Sequence, residues 1–190
     1  KTYPVIYMHD AQNLFDAKTS YAGEWKVDET LNEIYKKTNK GFIVVGIENG
    51  GEERINEYTP WEHQKYGGGK GDIYINFIVN TLKPYIDENY RTKPQQKYTG
   101  LIGSSLGGLI SYYGGLKYPN VFGKIGALST SFWFSDEVVK FLKKELKKKY
   151  NIKFDEVVIE NAVKRIAMES VIIEDFKPIK RRVSKKTDSP

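Results

Sequence analysis

The sequence predicts an α/β domain built on a mostly parallel sheet with helices on both faces. Three observations carry this prediction. Short, largely apolar runs without polar alternation, Val5–Met8, Phe42–Ile47 and Lys124–Ser129, read as strands covered on both sides. Between them lie stretches of helical periodicity, and strand, helix, strand in succession is the parallel crossover unit. Residues 98–117 read as a strand, a very tight turn and a helix, with Gly103-Ser104-Ser105-Leu106-Gly107 at the turn.

Taken in order, Val5-Ile-Tyr-Met8 ends in His9-Asp10-Ala11-Gln12-Asn13, a loop at the carboxyl end of a strand, where open α/β sheets place their sites. Asp28 is positioned to cap a helix in which Leu31, Ile34 and Tyr35 share one face. Phe42–Ile47 is the second strand. Residues 49–71 hold six glycines and no periodicity, and read as a long surface loop. Asp72 opens a helix with Ile73, Phe77, Ile78, Leu82, Tyr85 and Ile86 at helical spacing, which Pro84 is expected to kink or shorten. The turn at Gly103 to Gly107 follows, then the fourth strand, Lys124–Ser129, with Phe132-Trp133-Phe134 just past its end. Beyond Asp136 the pattern changes to an amphipathic, lysine-rich helix over 137–149 and weaker elements over 152–159, 161–168 and 171–173.

The turn is where chemistry is expected. Gly103 to Gly107 fits the G-x-S-x-G pattern, in which glycines remove the Cβ atoms that would clash as the backbone reverses around a strained central serine. Ser105 is that serine. Its hydroxyl stands above the sheet edge, and the N–H groups beside it open a helix whose dipole favours a developing oxyanion. Tyr58, Trp61, Tyr66, Phe132 and Trp133 are candidates for the wall of a small-molecule pocket, because two of their segments leave strand ends beside the turn.

Composition narrows the rest. At 190 residues the chain is expected to form one domain without staples, and it has no cysteine, which excludes disulfide frameworks, thiolate metal sites and cysteine nucleophiles. Its two histidines, 54 positions apart, offer no metal cluster, so no metal is expected. No stretch reaches membrane-span length and no leader pattern precedes the first strand, which leaves cytoplasmic and secreted settings both open. Residues 1–136 carry 15 basic and 15 acidic side chains, residues 137–190 carry 15 and 9, so the whole +6 excess lies in the last quarter. The organisation expected is a core over 1–136, a divergent basic segment over 137–176 that packs on the core or replaces its back half, and a disordered basic tail over 177–190. That tail raises nonspecific nucleic-acid binding, but lysines on a solvated helix need no partner. Gly67-Gly-Gly-Lys-Gly71 imitates a phosphate loop, yet no strand precedes it and no Ser or Thr follows the lysine.

Together, Tyr3 to Asp10, Gln12 to Asp16, Gly23 to Glu29, Arg54 to Pro60, Leu82 to Asp87, Gly103 to Gly108, Tyr118 to Gly123 and Ser129 to Trp133 carry a resemblance. Over residues 3–135 the chain resembles the "Putative esterase" family of α/β-hydrolases, which includes esterase D and the siderophore, feruloyl and acetylxylan esterases. The resemblance implies an α/β-hydrolase-like sheet, incomplete here at both ends, and a serine carboxylic-ester hydrolase acting through an acyl-enzyme on Ser105. It implies oxyanion donors at the Leu106 N–H and at Ala11 or Gln12, a small-molecule ester as substrate, and no cofactor. Position 11 is usually glycine in the family, and alanine is expected to put a Cβ beside the anion site. The family's histidine follows its serine and acid, whereas here no histidine follows position 63. A serine hydroxyl without a base is a weak nucleophile. The candidates for base or acid are His63, on a loop able to swing over the turn, His9, better read as a structural support of its loop, and Asp136, better read as a helix cap. The alternative expectation is a truncated, catalytically impaired chain, with basic-tail binding as a third reading.

Overall fold

The computed structural model describes residues 1–21, 23–138, 140, 141, 144 and 145, and the backbone of 171–174. Its centre is a five-stranded sheet of β1 (Val5–His9), β2 (Ile43–Ile47), β5 (Thr99–Ser104), β6 (Lys124–Leu128) and β7 (Val171–Glu174), in the order β2-β1-β5-β6-β7. The first four strands are parallel, and β7 pairs with β6 antiparallel. The weakly patterned run at 171–173 therefore forms the far edge strand.

Alternation along β1 sets the two layers. Val5 and Tyr7 join Leu101, Ile75, Ile110 and Ile125 in the larger core, under α3 (Gly71–Phe77) and α5 (Leu106–Lys117). Ile6 and Met8 face the other way, toward Leu14, Val27 and Leu31 of α1 (Val27–Thr38). Successive side chains of a strand point to opposite faces, so one short apolar run feeds two cores. Helices on both faces follow, as expected. α5 is buried from Leu106 to Leu116, the behaviour of a helix that is apolar all round.

Several local expectations change. Lys26, in the left-handed region at φ 53, is the residue before α1, so Asp28 falls in the first turn with Glu29, where both complement the dipole rather than cap. Ile34 and Tyr35 remain exposed. Residues 49–71 are more than loop: they hold α2 (Arg54–Tyr58) and a short hairpin of β3 (Glu62–His63) and β4 (Gly67–Gly68). The helix after them runs from Gly71 through a π turn at Ile78–Leu82 into α4 (Lys83–Asn89), with Pro84 in the first turn of α4. Pro84 cannot donate to the helix ladder, and a locally widened turn accommodates it without ending the helix. The buried face of this helix is Tyr74, Ile75, Ile78 and Ile86, whereas Ile73, Phe77 and Tyr85 are exposed. Periodicity marked this helix but not which of its apolar positions would meet the core.

No helix among the described residues is long and apolar enough to cross a membrane. The expected elements at 152–159 and 161–168 and the tail from 177 lie outside the described residues, as does most of 137–149. Within that last stretch Val138 is buried and Phe141 packs on the main core.

Candidate active site

The strand order places a site before any motif is invoked. Chain connections leave β1 toward β2 in one direction and β5 toward β6 in the other, so the crevice at the carboxyl ends of β1 and β5 is the switch point where open α/β sheets bind ligands. His9 ends β1, Asp10 to Asn13 follow it, and Ser105 follows β5.

Ser105 is exposed, and it is held at φ 57, ψ −119, a region that residues with a Cβ avoid. Its surroundings over-determine this strain. The Ser105 N–H donates to the Leu128 carbonyl at 2.9 Å, and its carbonyl accepts the N–H groups of Leu109 and Ser131, each at 3.1 Å. The turn can close because Gly103 and Gly107 touch: a Cβ on Gly103 would lie 2.5 Å from the Gly107 carbonyl carbon and oxygen. Ser105 thus precedes the first turn of a 12-residue helix, and the Leu106 N–H is among the N-terminal donors without an intrahelical acceptor. An exposed hydroxyl beside such donors is able to meet an electrophile while the N–H groups hold the negative charge that results.

Across the crevice, Asp10 sits in the left-handed region at φ 57 and starts a 3₁₀ turn over Ala11–Asn13. The first internal bond of that turn runs from the Asn13 N–H to the Asp10 carbonyl at 2.9 Å, which leaves the Ala11 and Gln12 N–H groups ahead of it. Three anchors hold the turn. The Asp10 N–H donates to the Tyr58 hydroxyl at 3.1 Å, Arg54 donates to both Asp10 carboxylate oxygens at 2.8 and 2.9 Å, and Asn49 adds a third bond at 2.6 Å. A Cβ on Gly107 would lie 3.4 Å from Asp10 Oδ2, so this clamped carboxylate lies against the first turn of α5. Ala11 Cβ would be 2.9 Å from a Cβ on Gly46 of β2, and it packs beside Leu14 and Met8. The methyl expected beside the anion site instead fills the space over Gly46, on the side of β1 away from β5.

Burial raises the pKa of Asp10, but the hydrogen bonds from Arg54 and Asn49 outweigh it and leave the carboxyl below its ordinary value. A group depressed in the folded state contributes stability above its unfolded pKa and loses it as pH falls through the folded one. Arg54→Ala is therefore expected to cost about 2–3 kcal/mol near neutral pH, since it leaves a buried charge with one bond, and to flatten stability below about pH 4. Urea unfolding of both chains from pH 7 to pH 3 measures this.

His9 is 1% exposed, and its Nδ1 lies 2.8 Å from the Tyr74 hydroxyl, with its ring packed against those of Tyr58 and Tyr74, which also touch each other. Burial, reinforced by Arg54 and only partly offset by Asp10, pushes its pKa down to about 3. It stands as a neutral, enclosed ring at the end of β1, its Nδ1 engaged by Tyr74. A histidine depressed in this way makes the folded state bind fewer protons than the unfolded one from about pH 6.5 down to about pH 3, so stability falls with acid across that window. The melting temperature is expected to fall on acidification from pH 7 to pH 4, and to fall less in His9→Gln.

The other candidates separate. His63 lies on the β3–β4 hairpin, with its ring 4.7 Å from Tyr66 and 5.2 Å from Phe134, and its Nδ1 accepts the Lys65 N–H at 3.0 Å. The stack carries the hairpin to the turn after β6. Asp136 is exposed, and its carbonyl accepts the Lys140 N–H, as at the start of a helix. Tyr58 is fully buried beneath the crevice, Trp61 packs edge-on against Tyr113 and Phe141, and Phe132 is buried edge-on to Tyr112. Trp133, 70% exposed, and Tyr66, also exposed, meet edge-on at 6.2 Å and are the accessible aromatics of the set. The nearest thing to a metal-ligand set among the described residues is Glu24, Asp28 and Glu29, mostly exposed carboxylates around the start of α1 and distant in sequence from the turn.

Composition and spacing did not single out Ser131. Its Oγ lies 3.0 Å from Ser105 Oγ, the one side-chain hydrogen bond of Ser105 among the described residues. Its signals are its place in the Ser129 to Trp133 segment that carries the resemblance and its position, since β6 is parallel to β5 and ends at the same sheet edge.

A mostly parallel sheet with helices on both faces is an α/β-hydrolase-like fold, and solved structures share it. A BES protein from Bacillus cereus superposes with a TM-score of 0.63 at 25% identity, covering 89% of this chain and 71% of that one. An IroE-like serine hydrolase from Shewanella oneidensis gives 0.62 at 26% identity, covering 78% and 47%. The chain belongs to the family described as "Putative esterase", which matches over residues 1–168 and so extends past residue 135, where the motif resemblance ended. Among curated relatives, the uncharacterized protein YbbA of Bacillus subtilis (strain 168) is 35% identical over 140 residues, 70% of this chain and 52% of that protein. The chain spans about half the length of the curated relatives it matches.

Proposed function

We propose that this chain carries the nucleophile of a serine carboxylic-ester hydrolase. Ser105 Oγ attacks the ester carbonyl carbon, the tetrahedral oxyanion forms beside the Leu106 N–H and that of Ala11 or Gln12, and its collapse breaks the ester C–O bond, the alcohol leaving with the proton that Ser105 lost. Water then attacks the acyl-enzyme, releasing the acid and restoring the Ser105 hydroxyl. The supporting observation is the backbone of Ser105, strained at φ 57, ψ −119, exposed at the switch point and opening α5. Family membership and the IroE-like serine hydrolase agree with the reading. The substrate class is a small-molecule ester, with Trp133 at the rim.

One observation favours a second reading. The side-chain partner of Ser105 is a neutral hydroxyl, while His9 is engaged with Tyr74 and His63 with Lys65. A hydrolase-like chain whose serine has no base would look the same. Incubation with a fluorophosphonate and with an aryl acetate decides between them: stoichiometric labelling of Ser105 with turnover supports the hydrolase, and an unlabelled, inert chain supports the second reading.

A further inference from the structure

The end of β6 and the segment after it grip Ser105 at three points. Two are backbone bonds, from the Ser105 N–H to the Leu128 carbonyl and from the Ser131 N–H to the Ser105 carbonyl. The third joins the two hydroxyls at 3.0 Å. Ser131 is 4% exposed, so its hydroxyl faces little water, and Ser129, between the gripping residues, is itself at φ 43. The backbone bonds account for holding the strained turn. The hydroxyl pair is additional, and its chemistry is asymmetric. In the resting state either oxygen can donate. Once Ser105 has lost its proton, Ser131 alone retains one, and its O–H is directed at the charge on Ser105 Oγ. A hydrogen bond to a charged oxygen is roughly twice as strong as one between neutral groups, so the contact strengthens as the serine ionises. A bond that strengthens in this way lowers the barrier to attack rather than merely tightening the ground state.

We infer that Ser131 is a positioning residue for Ser105, its hydroxyl donating to Ser105 Oγ and stabilising the negative charge that develops there. This rests on the reading of Ser105 as the nucleophile. The clearest comparison is Ser131→Thr against Ser131→Val, because the two add the same methyl to a buried position and differ in the hydroxyl alone.

The test has two arms. In the first, a fluorophosphonate labels the native chain and both variants. Ser131→Thr is expected to react at least tenfold faster than Ser131→Val, at matched melting temperatures. In the second, each substitution is combined with Ser105→Cys, and the rate of thiol alkylation by iodoacetamide is followed against pH. The hydroxyl is expected to hold the thiol pKa about one unit lower in the threonine background than in the valine one, a tenfold change in ionisation. This arm needs no catalytic base and reads the donor directly. Equal thiol pKa values in the two backgrounds overturn the inference whatever the chain hydrolyses. A native chain that is not labelled, with the pKa difference intact, counts against the hydrolase reading and leaves the donor established.

Discussion

Ser105→Ala is expected to abolish aryl-acetate turnover and fluorophosphonate labelling together, with a melting temperature close to that of the native chain. Alanine keeps the Cβ, so the strain at φ 57, ψ −119 is unchanged, and the three backbone bonds to Leu128, Leu109 and Ser131 remain. Among the described residues the side-chain interaction lost is the hydroxyl pair with Ser131, about 1–2 kcal/mol because the buried Ser131 hydroxyl loses its partner. Loss of a serine nucleophile in a working triad costs on the order of 10⁶ in turnover, while oxyanion donors and binding alone retain roughly 10³–10⁴ over water. A large loss of rate without loss of stability is therefore the signature of a nucleophile. Equal rates for the two chains would remove Ser105 from the mechanism.

Gly103→Ala has the largest expected effect on stability, and for a geometric reason. Its new Cβ would meet the Gly107 carbonyl carbon and oxygen at 2.5 Å and His9 Cδ2 at 2.8 Å. Two of these atoms are backbone, and the third belongs to a ring fixed by Tyr74 and enclosed by Tyr58. None has a rotamer into which to retreat. The strand and helix must part, which breaks the grip on Ser105, and a cost of about 4 kcal/mol or more is expected, beyond ordinary overpacking. Gly51→Ala is the matched control. Unlike Gly103 it has a positive φ, at 64, but nothing lies within 4 Å of its Cβ position, so left-handed strain of about 1 kcal/mol is all it should show. Urea midpoints for the two variants separate steric closure from backbone preference, and similar costs would refute the account of the turn.

The contrast between these glycines marks the boundary between pattern and packing. Both are visible in the sequence, and Gly103 stands out only through its spacing to Ser105 and Gly107. That spacing is local, set by a turn of a few residues, which is why the strand-turn-helix at 99–117 was legible without coordinates. The first two strands were legible for a related reason: β1, covered on both faces, is an uninterrupted apolar run, and β2 reads the same way although as an edge strand it is only partly buried. By contrast, the apolar positions of the helix at 71–89 did not show which of them face inward. Ile73 and Tyr74 are neighbours in a hydrophobic pattern, yet one is exposed and the other bonds His9, because the partner strand selects the face.

At the site, the sequence by itself determined the strained serine, the helix that follows it and the loop at the end of β1, all consequences of short-range backbone geometry. Only the tertiary structure decided what surrounds them. It set Arg54 and Asn49 on Asp10 across about 40 residues, turned the Ala11 methyl toward Gly46, and sank Tyr58 below the crevice. It also brought Ser131 to Ser105 from 26 positions away, through the pairing of β5 with β6. Contacts of that kind depend on strand order, and strand order depends on which connections cross the sheet and in which direction, a choice that no local run of residues records.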